Sequence, residues 1–574
     1  VAGATAEGTV GSGKFGKRMK IAGFCSVLSV LLLATRALGA PTVGDLAQPD
    51  RLPGALQAAY QNSTGDIVIT PGTYEIPATN KQTIWLDHWH DRNIIAANVL
   101  IIFDERHHDP IRFEHCSHVS FEGATLRLKI APDTQGRITA IGSDARGKWC
   151  DWQVDAGYRS DIDPKKMTFN VVDAQTRLLK VQARDVGVAA SESLAPDRFR
   201  LHFGRQLPTL AVHDWLVTRA DGGAVICHLS DCHDVTLRNL TFQNGGFGTM
   251  FETDGGGNHY LNCKIATGPK PPAATEEEIV SCGADGFHSV GTTIGPDIED
   301  CDFSGVFLDD CIAVHGTFQK VISRGGTSIV MAGKVHDYQV GEPVRFSNEK
   351  GLFDQAICTG VKDLGNKQIE VTIDKSIDVP VGSKANNPDR CGRGFKILRC
   401  RLGNTRSRGI LVKADDGLID HCTIEGCGMS AISIGPEYYW NEANYCWNVT
   451  VSNNAIRNCV KGNGGDGTLW VHGDGAIGNR NIIIKDNRFV DNYGQYMMKL
   501  EWTDGLQITG NRIDGGFQLP LQKPGEIVHL AHDRHVNLKG NVVENTGPSF
   551  GKLIGGGDDV SDPAIADLTG IERK

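Results

Sequence analysis

Nine segments of the chain share one short pattern, and this repeat limits the fold more than any other feature. They are VTLRNLTF (235–242), HYLNCKI (259–265), IEDCDF (298–303), ILRCRL (397–402), LIDHCTI (418–424), VTVSNNAI (449–456), IIIKDNRF (482–489), LQITGNRI (506–513) and VNLKGNVV (536–543). Each has a β-branched run, a polar turn and a second apolar pair. Aligned, they give one column: Asn239, Cys263, Cys301, Cys400, Cys422, Asn454, Asn487, Asn511 and Asn541. Most steps along it are 22 to 38 residues, and one, Cys301 to Cys400, is 99. Strand repeats of this kind without helical patterning predict a stacked β-solenoid. Each coil then adds a rung about 4.8 Å along the axis.

The column has a physical reading. A side chain inside a coil corner must satisfy turn backbone groups, which the Asn amide can do, and stacked Asn can bond along the ladder. Cys fills the same corner as a small, mostly apolar residue. Cys263, Cys301, Cys400 and Cys422 are therefore expected in the core rather than in disulfides. None of the 16 cysteines forms a CxxC pair, which argues against a zinc site.

The period sets the domain plan. LPGALQAAY (52–60) reads as an amphipathic helix capping the first coil, and GDIVITPGTYEI (65–76) as strand, turn and strand, so 41–129 is expected to hold the cap and first coils. Two stretches, 130–217 and 321–394, break the repeat with short antiparallel strand patterns such as MTFNVVD, LLKVQARDV and HDWLVTR in the first. They are expected to form two small β-barrel-like insertions. Coils then occupy 218–320 and 395–550, and the polar, Gly-rich 551–574 reads as a loose tail.

Residues 1–40 read as upstream sequence followed by a cleaved signal peptide. Lys14, Lys17, Arg18 and Lys20 precede the apolar stretch Ile21 to Ala34, and small residues follow, with a start at Met19. A secreted or periplasmic chain, with no membrane association after cleavage, is expected. Beyond residue 39, 53 Lys and Arg face 67 Asp and Glu, a net charge of −14 with no basic tract, so nucleic acid is excluded as a partner class.

Chemistry is suggested by Asp309 and Asp310 in GVFLDDCIAVHG and Asp285 in GADGFHSVG. Asp285 precedes Asp309 by 24 residues, about one coil, so the three acids are expected on neighbouring rungs. Matching CIAVH (311–315) to GILVK (409–413) puts Arg408 over Asp310 and Lys413 over His315. Glu252, His288, Glu437, Trp440 and His472 extend the stripe. Charged groups can bond sugar hydroxyls and aromatic faces can stack on sugar rings, so a carbohydrate partner is expected and no metal or cofactor. Adjacent rungs allow carboxylate spacings that overlap both the retaining range of about 5–5.5 Å and the inverting range of about 6.5–9.5 Å, which leaves stereochemistry open. Three close acids repel one another, raising one pKa to make a general acid, while the others can activate water.

With these residues in hand, the chain resembles glycoside hydrolase family 110. The resemblance is carried by ADGFH, IEDCDFSGVFLDDCIAVHG, an insert holding GEPVRF, SRGILVKADDGLIDHCTI and AISIGPEYYWNEANYCWNVTVSNNAIRNC, over about 218–550. It implies an all-β, right-handed parallel β-helix with inserted barrels. It also implies an exo-acting, inverting α-galactosidase, of α-1,3 type, without metal or cofactor. Asp309 would be the general acid, with Asp285 and Asp310 on the water-activating side. The chain departs from the family at Ala313, where Asn is frequent.

Two alternatives stay open. A polygalacturonase-like pectin hydrolase shares ADG and DDC, but the Gly-His-Gly and Arg-x-Lys elements are missing. A non-catalytic β-helical adhesin or carbohydrate-binding protein predicts acids spread along the groove rather than convergent. Either insert could mediate homo-oligomer formation.

Overall fold

The computed structural model describes residues 40–573, apart from 79–82, 105–106, 184, 204–208, 220–222, 463–464, 519–522, 548 and 557–570. The segment read as a signal peptide lies outside the described residues. The rest forms a parallel β-helix of three long sheets whose strands follow in chain order, two of 13 strands and one of 12 with the short antiparallel strand Glu442–Ala443 added beside it. The fold class is all-β, a right-handed parallel β-helix. Its core is a continuous file of Ile, Val, Leu, Phe and Cys from Leu52 to Ile571. The helix Leu52–Asn62 buries Leu52 and Leu56 over the first coils, the position expected of a cap. Tyr60 stacks on Trp89 at 4.2 Å.

The corner that generates the repeat uses two adjacent columns. The outer one turns left-handed at Asn262, Asp300, Arg399, His421, Asn453, Asp486, Gly510 and Gly540. The inner one follows directly: Cys263, Cys301, Cys400, Cys422, Asn454, Asn487, Asn511 and Asn541, all buried. Asn239 does not belong to it. The register Thr236↔His259 sets Leu240 beside Cys263, and Asn239 takes the left-handed position at φ 53° instead. Asn tolerates that conformation better than most residues, so its type suits either column.

The four inner Asn form one ladder. Each donates from Nδ2 to the next Oδ1 at 2.9, 3.0 and 2.9 Å along Asn454, Asn487, Asn511 and Asn541. Each Oδ1 also accepts the preceding corner's main-chain N–H, at 2.8 Å for Cys422 N to Asn454 Oδ1. Cys263 N contacts Cys301 Sγ at 3.4 Å in the sulfur part of the same column. All 15 cysteines among the described residues are free and buried.

The two interruptions are closed six-stranded barrels. The first runs from Asp133–Asp144 to Trp215–Arg219 and the second from Gln319–Gly325 to Lys384–Asn386. Within the first, LLKVQARDV is largely loop rather than strand, because Gln182 and Asp185 turn left-handed. That loop docks on the coils: Gln182 N donates to Lys461 O at 2.7 Å. An apolar seam of Leu179, Trp215, Val217, Ile279, Val306 and Leu308 joins barrel to helix. The second barrel is held by Arg345, buried and bonded to both Asp415 oxygens at 3.2 and 2.7 Å beneath Trp447.

The end of the chain differs from the expected loose tail. Phe550–Gly556 extends one sheet beside Gly525–Ala531, and Ile571–Arg573 pairs with Asn541–Glu544. The last coil's open edge offers unpaired N–H and C=O groups, and these strands satisfy them.

Asn511→Ala removes bonds to Asn487, Asn541 and Ile484 O. Buried partners left unsatisfied cost about 1–3 kcal/mol each, so we expect a loss of about 3 kcal/mol in denaturant unfolding. A loss below about 1 kcal/mol would remove the ladder from the account of stability.

Candidate active site

The acids sit where coils enter one sheet. Asp285 opens strand Asp285–Val290, and Asp309 and Asp310 precede Ile312–Thr317 on the next rung, paired as Phe287↔Ile312. Gly286 makes the approach possible, since a Cβ there would lie 2.7 Å from Cys311 O and 3.0 Å from the Phe307 ring. Cys311 is wholly buried behind the acids. One oxygen from each of Asp285, Asp309 and Asp310 lies within 4.8 Å of the others.

Their environments differ, and the difference sorts their roles. Asp285 accepts the Asp310 N–H at 2.9 Å through Oδ1 and contacts His288 Nδ1 at 2.6 Å through Oδ2. Asp310 is buried and accepts the Arg408 N–H at 2.7 Å, with the Arg408 guanidinium 3.4 Å away. Asp309 is the open member, its side chain 39% exposed against 15% for Asp285 and 6% for Asp310. Arg406 reaches Asp309 Oδ1 at 3.4 Å, Leu308 O at 2.9 Å and Asp185 of the first barrel at 3.5 Å. Burial of the carboxyl group, then the charges of Asp285 and Asp310, push Asp309 up to about 7 against the pull of both arginines. A carboxyl titrating there can donate a proton near neutrality.

A histidine pair extends the site. His288 Nε2 lies 2.8 Å from His315 Nε2, and His315 Nδ1 lies 2.7 Å from Gly316 O. The carbonyl can only accept, so His315 carries its proton on Nδ1 and receives one from His288. Burial, then His288 and Lys413, hold His315 well below the usual histidine range. For His288, burial acts downward, but Asp285 and neighbouring carboxylates outweigh it and raise the pKa. His288, favoured in its protonated form, thus donates to Asp285 on one side and to His315 on the other, which fixes the Asp285 carboxylate in place.

The register sets Arg408 beside Asp310 and Lys413 beside His315, as the repeat alignment expects. Lys413 has no exposed side-chain surface and bonds Glu437 at 3.0 Å and Glu442 at 2.7 Å, so it anchors these residues instead of reaching a substrate. Arg408 bridges Asp310 to Glu437. Burial opposes ionisation of Glu437, yet Lys413 and Arg408 hold it down at about 2. Glu437 and Glu442 form the base of a hairpin that pairs back on Ile312–Thr317. Trp440 lies at its tip, 64% exposed and edge-on to Tyr439. His472 is buried by Trp470 and Ser433 and depressed to about 3, first by burial, so it is neutral support beside Glu437.

Glu252 is a correction to the expected substrate contacts. Side chains alternate along Gly248–Thr253, and Glu252 points inward to Asn258 and Tyr260 at 3.0 and 2.8 Å. The neighbour facing out is Phe251, whose ring lies 4.8 Å from His288. Period-two alternation from Met250 could have identified it. Arg406 and Asp185 were also missed: the coil register sets Arg406 beside Leu308, and the docking of the barrel brings Asp185 to Arg406.

Comparison with known proteins follows this geometry. The family described as Right handed beta helix region matches residues 389–562. Alpha-1,3-galactosidase B of Bacteroides thetaiotaomicron is 25% identical over 503 residues, covering 75% of this chain and 78% of that protein. Alpha-1,3-galactosidase A of Akkermansia muciniphila is 26% identical over 250 residues, covering 40% of this chain and 39% of that protein. Among solved structures, the catalytic domain of a GH87 alpha-1,3-glucanase in complex with nigerose aligns at a TM-score of 0.41 and 11% identity, over 93% of this chain and 67% of that one. The polygalacturonase of Erwinia carotovora aligns at 0.35 and 9% identity, over 93% of this chain and 96% of that one. The chain is a glycoside hydrolase on a right-handed β-helix, and it resembles family 110.

Proposed function

We propose that the protein releases terminal α-linked galactose, of the α-1,3 type, from a glycan by inversion. The observation that carries this reading is the convergence of three carboxylates in which one, Asp309, is held near 7 while its two neighbours accept hydrogen bonds from N–H donors. A non-catalytic binding protein has no need for that asymmetry. Asp309 protonates the glycosidic oxygen as the C–O bond breaks. Water adds to the anomeric carbon from the opposite face and gives its proton to Asp285 or Asp310. The family resemblance and the curated relatives support galactose as the sugar. Exo action belongs to the same proposal and rests on the family resemblance. Export belongs to the same proposal and rests on the N-terminal sequence.

One observation favours a second reading. Oxygens within 4.8 Å lie closer to the retaining spacing of about 5–5.5 Å than to the inverting one of about 6.5–9.5 Å. Retention would make Asp310 or Asp285 the nucleophile. NMR of the first-formed sugar decides between them. β-Galactose from an α-galactoside is expected, whereas α-galactose would replace inversion by the second reading.

Asp309→Asn should lower kcat on an α-galactosyl disaccharide by about 10²–10⁴-fold, the usual share of general acid catalysis. Loss should be much smaller with a nitrophenyl leaving group, which departs without protonation. Equal losses on both substrates would take the acid role from Asp309. Because the acid acts in its protonated form, kcat/KM should fall as pH rises through about 7. That alkaline limb should vanish in the Asn variant. Turnover of polygalacturonate alone would reject the galactosidase reading.

A further inference from the structure

The first barrel does more than stand beside the coils. Its strands Thr168–Val172 and Trp215–Arg219 form one wall of a 490 Å³ cavity whose other wall is the start of the catalytic strands. Asp309 and Arg406 line it from the coils, and Lys166, Asn170, Asp185 and Arg219 from the barrel side. The volume falls within the range of about 300–1,000 Å³ typical of small-ligand sites. Asp285 and Asp310 do not line it. An acid that protonates a glycosidic oxygen stands between the sugar being released and the group it leaves. The cavity therefore lies on the leaving-group side of Asp309.

Its charge is opposite to that of the chain. Asp185 and Asp309 share Arg406. Arg219 has no carboxylate partner within ion-pair distance among the described residues; it reaches Gly283 O at 3.5 Å and lies 5.6 Å from the Phe247 ring. Lys166 reaches only Asp163, 3.7 Å away and outside the cavity wall. Three cations, Lys166, Arg219 and Arg406, thus line the cavity against two acids, Asp185 and Asp309, on a chain whose formal net charge is −10. Thr168 adds an exposed hydroxyl able to meet a sugar hydroxyl.

We propose that the first barrel builds the leaving-group subsite and that this subsite selects an anionic hexose, bearing a carboxylate or a sulfate, through Lys166 and Arg219. The inference rests on the α-galactosidase reading and names the class of sugar to which the galactose is attached. The dominant interaction is long-range attraction across a half-open, polar cavity, so it is screened by salt.

The test uses the full chain and four substrates. They are α-galactosyl disaccharides with a uronic acid, a sulfated hexose or a neutral hexose as leaving sugar, and an aryl α-galactoside as control. Two charge pairs near a surface are worth roughly tenfold in kcat/KM at low ionic strength, so one or both anionic disaccharides should exceed the neutral one by that factor. The preference should shrink at high salt. The Lys166→Gln, Arg219→Gln double variant should abolish it while leaving the neutral and aryl substrates within about twofold. Whether carboxylate, sulfate or both are favoured identifies the anionic group. Equal rates on anionic and neutral disaccharides, or a preference that survives the double substitution, overturn this proposal and leave the galactosidase reading intact. Failure of all four substrates overturns both.

Discussion

The site depends first on register. Asp285 and His288 belong to a strand whose alternate neighbours point inward, and Asp309 and Asp310 lead into the next, so a slip of one residue would exchange Phe251 for Glu252 or bury His288. The corner ladder resists that slip. An Asn Oδ1 that accepts both the preceding corner's N–H and its amide is bonded in only one alignment of the coils. In the catalytic coils the same corner holds Cys263, Cys301, Cys400 and Cys422, which give close packing with weak bonds. The strong ladder is therefore found on the C-terminal coils. The catalytic coils gain their rigidity instead from a barrel docked on either side.

Above this frame the charges form a chain: Asp310, Arg408, Glu437, Lys413 and Glu442. Buried ion pairs repay their desolvation only with good geometry and full bonding, so such a chain is weak evidence for stability. Its evident effect is positional. Glu437 and Glu442 tie a hairpin to the residues holding Asp310, which couples that hairpin to the placement of a catalytic carboxylate. Asp309 stands at the edge of this chain and keeps only the long Arg406 contact. Burial of its carboxyl group, then the charges of Asp285 and Asp310, drive it up while those two accept N–H bonds.

Much of this was legible in the sequence because a β-helix converts spacing into position. Twenty-four residues between Asp285 and Asp309 mean one coil, and eight between Cys400 and Arg408 match eight between Cys301 and Asp309. The failures have equally local causes. Asn239 was set one place out of the column because Asn suits both the left-handed turn and the inward corner. Glu252 points inward although a carboxylate in a core is uncommon, because Tyr260 and Asn258 supply it with donors. Lys413 was read as a sugar contact because nothing in its strand shows that Glu437 and Glu442 fold back to cover it.

The contribution of the first barrel could not be read from spacing at all. Residues 185 and 406 are 221 positions apart, and no repeat links them; they meet because the apolar seam of Leu179, Trp215, Ile279 and Leu308 fixes the barrel on the coils. The arrangement divides the work of the site. The sheet sets distances between carboxylates at the scale of a rung, which the strand spacing allows to vary little. The barrel sits on side chains and loops, where substitutions shift a wall without shifting the register. Chemistry is therefore tied to the repeat, and the choice of leaving group to an insertion that the repeat does not constrain. Arg406 links the two parts, bonding Asp309 on the coils and Asp185 on the barrel, and Asp309 faces the cavity between them.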